Sequence, residues 1–303
     1  MHKKPVAAVI NFCTNESRFL QVCIEQARLF AQQIIIPVCD HFFDGKPENG
    51  ELLDQIYRSF PDCLFVQYPY IRDKVPREWK NSSHFWHSFS RYLAVQHLDP
   101  SIETILFLDA DEVADGEMFA QWLDNSDYHQ HTVLKLANYW YFREPRYQAL
   151  MWEDSIVLAQ RRALNASMLM HEREREAIYE LLPGPKRRGV TSPEGEPMFH
   201  HFSWVRTKEE MLKKVGSWGH RKDRDWIAQV EEEFSAPFRG TDFVHGYQYK
   251  SVEPKFDIRL DPTPFTPILP QPASLKKLTY AQTSRLLKGG NRSFWGYISR
   301  LFS

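Results

Sequence analysis

The stretch that most constrains the fold is Thr104-Ile105-Leu106-Phe107-Leu108-Asp109-Ala110-Asp111-Glu112, an apolar run that ends in two carboxylates separated by one alanine. An apolar run of this length bounded by charge reads as a strand buried in a parallel sheet that surfaces at its C-terminal end. Open α/β sheets bind ligands at those strand ends. In extended chain residues i and i+2 point the same way, so Asp109 and Asp111 are expected to aim at one point while Ala110 turns away. Two hard oxygen donors converging in this way suit Mg²⁺ or Mn²⁺. The bland alternative is a strand followed by an acidic turn.

The residues before this stretch supply the rest of such a sheet. Val6–Cys13 is β-branched and apolar, and Thr14-Asn15-Glu16-Ser17 carries helix-capping chemistry just after it. Phe19, Leu20, Cys23, Ile24, Ala27 and Phe30 then recur at helical spacing. Ile34–Val38 reads as a second strand ending at Asp40 to Gly45, Leu52–Tyr57 as a helix and Cys63–Val66 as a third strand. This βαβαβ order predicts an α/β fold with a Rossmann-like, mostly parallel sheet flanked by helices. A helix from about His84 to His97 leads into the strand that ends at Asp109.

Beyond Asp111 the pattern predicts a short helix at Met118–Leu123, a strand at Thr132–Ala137 running into Tyr139-Trp140-Tyr141-Phe142, and a strand at Ser155–Gln160. Pro183 to Pro197, with four prolines and three glycines, reads as a loop. His200-His201 follows it, and then a charged helix at about Thr207–Trp218.

A net charge of −1 offers no global field for nucleic acid. The four cysteines, all before residue 64, have no metal-ligand or framework spacing and read as reduced core residues of a cytoplasmic protein. The basic start followed by an apolar run reads as a first strand rather than a signal peptide. No stretch approaches the roughly 20 apolar residues of a membrane span.

Taken together, the early βαβ half, Asn15-Glu16, Asp40 with Asp44-Gly45 after the second strand, and Asp109-Ala110-Asp111-Glu112 resemble the GT-A glycosyltransferases, especially the family-2-like group. The resemblance runs over roughly residues 5–250, and the first 115 are its specific part. It implies a GT-A domain over residues 1–260, with a nucleotide-binding half at 1–115 and an acceptor half at 116–260. It also implies a metal-dependent transferase acting from a nucleotide-sugar donor, most naturally a UDP-sugar, onto a glycan or lipid-linked acceptor. In that group an Arg-Asn pair opens the helix before the metal motif; here Arg91-Tyr92 keeps only the arginine.

Residue by residue, the resemblance implies metal ligation by Asp109, Asp111 and His201, and donor contacts from Asn15, Glu16, Asp40, Asp44, Arg91 and Asp109. Asp40 equally suits an Asx-type cap on its loop, and Arg91 a solvated helix position. Strand alternation allows only one of His200 and His201 to face the site, and His201 is the one implied. Glu153-Asp154 looks like the family's acceptor-site Glu-Asp, in which the aspartate is the base, though it falls only 43 residues after Asp111; a turn before a strand is the other reading.

Two further readings remain open. One is a phosphohydrolase of the haloacid-dehalogenase type, whose strand also ends in D-x-D but normally comes first and continues into Gly-Thr. The other is a non-catalytic sugar-binding protein on a degenerate transferase fold. Residues 261–303 read as a Pro-rich linker and a tail whose six Lys/Arg lack any acidic partner after residue 261. Phe294, Trp295, Ile298, Leu301 and Phe302 would form one apolar stripe, which suits either packing on the rest of the chain or a second subunit, or peripheral contact with an anionic membrane.

Overall fold

The computed structural model describes residues 5–77, 79, 82–217, 224–260 and 273–288. Val6–Asn11 (β1), wholly buried, lies at the middle of the sheet because every one of its side chains faces a helix layer. Ser17–Ala27 (α1) follows, then Gln33–Cys39 (β2), Gly50–Ser59 (α2), Leu64–Tyr68 (β3), Ser82–Val95 (α3) and Thr104–Asp109 (β4). β3, β2, β1 and β4 are neighbours in that order and parallel throughout. Such a sheet, covered on both faces, explains why its strands are apolar runs rather than alternating ones.

The second half returns along the β4 edge. Glu112–Ala114 (β5) and Gly116–Asn125 (α4) come first, followed by Val133–Phe142 (β6) and the long strand Glu144–Gln160 (β7). Ala166–Leu169 (α5), Glu174–Leu181 (α6), Lys186–Val190 (β8) and Phe199–Trp204 (β9) come next. Lys208–Ser217 (α7), Trp226–Glu233 (α8), Tyr249–Ser251 (β10) and Leu275–Lys277 (β11) follow, with helical residues again at 280–288. β7 runs antiparallel between β4 and β6, and β9 joins β6 to β5. The sheet is therefore mixed, with a parallel first half and a return in which β7 and β5 pair antiparallel while β8 and β9 pair in parallel with β6, and the fold is α/β.

Two apolar layers sandwich this sheet. Phe19, Ile24, Ile56, Phe119 and Trp122 place α1, α2 and α4 on one face, and Phe85, Trp86, Phe89, Met168 and Ile178 place α3, α5 and α6 on the other. A third cluster, built on Trp140, Phe142, Trp204, Met211 and Trp226, holds α7 and α8 against the ends of β6 and β9.

Several sequence expectations change. The proline-rich segment after Pro183 contains β8, which pairs in parallel with β6. The strand expected at Ser155–Gln160 starts eleven residues earlier, so Glu153-Asp154 lies inside β7 rather than in a turn. Residues 273–288, read from the sequence as tail, contribute β11 to the open edge of β3 and bury Leu287 in the α3 layer. The apolar stripe at 294–302 lies outside the described residues.

Close approach of α4 to α1 depends on Gly116. A Cβ there would lie 2.4 Å from the Gln26 carbonyl oxygen and 2.8 Å from Leu29. Gly50, at the start of α2, has open space around it and is capped by Asn49, whose Oδ1 accepts from the Leu52 amide at 3.1 Å. Gly116→Ala is expected to cost about 1–3 kcal/mol by forcing the helices apart, whereas Gly50→Ala should be neutral or add about 0.4–1 kcal/mol. Urea unfolding of the two variants checks the contrast.

Candidate functional site

The site forms where β1 and β4 end. The chain leaves β4 at Asp109, turns through Ala110 and Asp111, and re-enters the sheet as β5 at Glu112. The Ala110 amide donates to the Asn11 carbonyl at 2.9 Å and pins the turn to β1. Extended geometry stops at Asp109, so strand alternation no longer sets the direction of Asp111 relative to Asp109. The two carboxylates serve different clusters.

Asp109 belongs to a buried charge network. One of its oxygens accepts from Arg91 at 2.9 Å and the other from Arg175 of α6 at 3.2 Å. Arg91, 1% exposed, is no solvated helix residue; its other nitrogen reaches Glu174 at 2.7 Å. Glu112, with no exposed surface, accepts from the Asp109 amide and the Ser155 hydroxyl, each at 2.8 Å, and pairs with Arg175 through both oxygens. Burial opposes ionisation of Asp109, but Arg175, Arg91 and His87 hold its carboxyl below the usual range. A phosphohydrolase needs its strand-end aspartate free as a nucleophile, and both oxygens of Asp109 are already held.

Asp111 faces the other way, toward β9 and α7. His201 Nε2 lies 3.6 Å from one oxygen; Arg206 and Lys214 stand 3.9 and 4.0 Å from the other. All three separations exceed hydrogen-bond length, so the carboxylate is ringed by cationic groups without being capped by them. Burial works against its charge, yet His201, Lys214 and Arg206 hold it far below an ordinary aspartate. Burial likewise opposes protonation of His201, but Asp111 raises it overall, whereas burial lowers Lys214. His200 turns to the opposite side, where its Nδ1 meets the Tyr141 hydroxyl at 2.7 Å and burial brings it down to about 3.

The expected donor-side residues divide similarly. Glu16 pairs with Arg206, whose Nη1 also reaches the Asn15 carbonyl at 3.2 Å. Among the described residues the buried Asn15 Oδ1 has no partner. Asp40 caps its loop, taking the Tyr70 amide and His41 Nδ1 at 2.7 Å each. Asp44 closes a turn on the Lys46 amide at 3.0 Å, with Gly45 at φ +88. Glu48, unmarked by any sequence pattern, accepts from both the Thr14 amide and hydroxyl at the end of β1.

Asp154, implied as the base, is instead gripped by Arg188 through two 2.8 Å bonds and approached by Lys135 at 3.3 Å. Its neighbour Glu153 accepts from the Tyr247 hydroxyl at 3.0 Å and lies 4.0 Å from His245. The His245 ring meets Trp140, and Trp140 meets His201, so Glu153 belongs to the Asp111 side. The loop carrying His245 and Tyr247 is fastened by buried Asp242, which accepts from the amides of Val244, His245, Gly246 and Tyr247 and from the Tyr249 hydroxyl.

Among the described residues no three His, Cys, Asp or Glu side chains are grouped to hold a metal ion. Asp109 does not fit a ligand role, being engaged by arginines. Asp111 and His201 do fit in chemistry: a carboxylate and an imidazole face each other, His201 Nδ1 is buried without a partner among the described residues, and Mn²⁺ accepts both donor types. Such a two-residue set requires a ligand to complete the shell.

The buried pairing also yields a stability test. Arg175→Met removes one charged partner of Asp109 and the one cation that pairs with buried Glu112 among the described residues, and breaking a buried ion pair in this way costs about 3–5 kcal/mol. A denaturation curve showing less than about 1 kcal/mol of loss would mean that water reaches these groups.

A scan against protein-family models and a search of curated proteins both find no match. Solved structures give faint similarities. One is a 4-diphosphocytidyl-2C-methyl-D-erythritol synthase from Anaerococcus prevotii, at 10% identity and TM-score 0.40, covering 77% of this chain and 97% of that one. Another is the glycosyltransferase GlyE of Streptococcus pneumoniae, at 12% and 0.38, covering 77% of this chain and 64% of that one. A third is the catalytic domain of Drosophila beta1,4galactosyltransferase 7, at 11% and 0.33, covering 65% and 70%. These are what the chain is similar to, and they assign it no activity.

Proposed function

We propose that this protein is a GT-A-type glycosyltransferase that moves a sugar from a nucleotide-sugar donor, a UDP-sugar in the first instance, to a hydroxyl of a glycan or lipid-linked acceptor. The observation that carries this reading is the ring around Asp111: His201, Arg206 and Lys214 within 3.6–4.0 Å of one buried carboxylate at the C-terminal end of β4. Such a ring is suited to a leaving diphosphate, whose negative charge grows as the sugar departs.

Asp111 and His201 would hold Mn²⁺ or Mg²⁺, which when bound acts as a Lewis acid on the diphosphate. Arg206 and Lys214 add fixed positive charge beside it, and their burial makes that charge more effective than in water. Arg206 is itself oriented by Glu16 and by the Asn15 carbonyl. The Asp109 network sets the turn that aims Asp111, which makes Arg91, Arg175 and Glu112 positioning residues. On the acceptor side we assign the proton to Glu153. Tyr247 occupies one of its oxygens, and Asp154 is engaged by two hydrogen bonds from Arg188.

Calorimetric titration with UDP, with and without Mn²⁺, tests the reading. Asp111→Asn and His201→Ala are each expected to weaken the Mn²⁺-dependent part of UDP binding by at least about tenfold. Lys214→Ala should weaken UDP binding whether or not Mn²⁺ is present. Wild-type affinity in both the Asp111 and His201 variants would reject the site.

A further inference from the structure

Leu150, Met151 and Trp152 are consecutive on β7 and exposed at 57%, 62% and 45%. Strand geometry would ordinarily bury alternate residues of such a run. Here the register breaks: Gln148 pairs with Tyr141 and Trp152 with Tyr139, so three β7 residues oppose the single residue Trp140. The bulge leaves Leu150 and Met151 out of register with β6, although the Leu150 amide still donates to the Gln248 carbonyl at 2.8 Å, and bulges of this kind redirect side chains beside functional sites. Three adjacent large apolar side chains kept in water are the mark of a contact surface.

The chemistry around the bulge identifies the contact. Lys250 of β10, in register with Gln148, is exposed, and so is Arg187 of β8, two residues before the Gly189 against which Trp152 lies. Two acids on this side are engaged, Asp154 by Arg188 and Lys135, and Glu196 by the Tyr139 hydroxyl. An apolar tip containing a tryptophan and flanked by exposed cations matches the headgroup region of an anionic bilayer. We propose that the Leu150-Met151-Trp152 bulge inserts into an anionic membrane surface and brings Glu153, the next residue of the same strand, to the lipid headgroups. This surface is separate from the basic C-terminal segment, and the inference does not rest on the transferase reading.

Vesicle flotation tests it with the full chain, a chain ending at Lys288, and the variant Leu150→Ser/Met151→Ser/Trp152→Ser. The vesicles are phosphatidylcholine alone or mixed with phosphatidylglycerol. The full and shortened chains are expected to float with the mixed vesicles, and the triple variant to lose at least about tenfold in bound fraction. Trp152 rests against Gly189, so Leu150→Ser/Met151→Ser, which keeps that contact, serves as the variant insensitive to local unfolding. Lys250→Glu/Arg187→Glu should weaken flotation on mixed vesicles. The proposal is overturned if the bulge variants float like the parent, or if only the shortened chain fails to float. It is also overturned if the parent ignores both vesicle types while the bulge variants abolish self-association in sedimentation velocity.

Discussion

Everything around the candidate site hangs on the burial of Glu112. Its carboxylate has no exposed surface, and it meets that cost by accepting from the Asp109 amide, the Ser155 hydroxyl and Arg175. A buried charge is tolerable only when paired and hydrogen-bonded. Satisfying Glu112 therefore ties three otherwise separate elements together: the turn after β4, the middle of β7 and α6. The same turn determines where Asp111 points. A carboxylate that never meets solvent thus fixes the direction of one at the site.

This arrangement divides the acidic motif into two jobs. Asp109 is closed in by Arg91 and Arg175, whereas His201, Arg206 and Lys214 ring Asp111 at longer range. A network of this kind narrows the conformations available to the turn, since moving Asp109 would break bonds to two buried guanidinium groups at once. The nearly neutral total charge of the chain conceals this strong local separation of sign.

The opening of the fold was legible because it is written in apolar runs. Val6–Asn11, Gln33–Cys39 and Thr104–Asp109 are buried on both sides, so their composition alone announces parallel strands. The direction of Asp111 was not legible, because alternation holds only while the chain stays extended, and the chain turns at Ala110. Glu153-Asp154 was misplaced for a related reason. The sequence Glu144-Pro145-Arg146-Tyr147-Gln148 lacks a strand's apolar pattern, and its extension is imposed by pairing with β6 and β10. Helix α6, which brings Glu174 and Arg175, is eight residues long and heavily charged, too short for periodicity to reveal. Arg206 did carry a signal, an arginine two residues past the strand of His200 and His201, but nothing local says that it reaches back to Glu16.

That reach has a consequence for how the molecule comes to exist. Glu16 and Arg206 are 190 residues apart, and Arg18 and Glu210 are 192 apart. Contacts of such separation are rewarded only after the intervening loop entropy has been met, so they form late. The βαβ units at the start can assemble from neighbours along the chain, while the ring around Asp111 waits for β9 and α7 to arrive. During synthesis the first turn of the protein therefore leaves the ribosome long before its partners exist. Glu16 and Asp111 spend that interval as solvated carboxylates, and the site becomes an electrostatic object only when the chain closes on its own beginning.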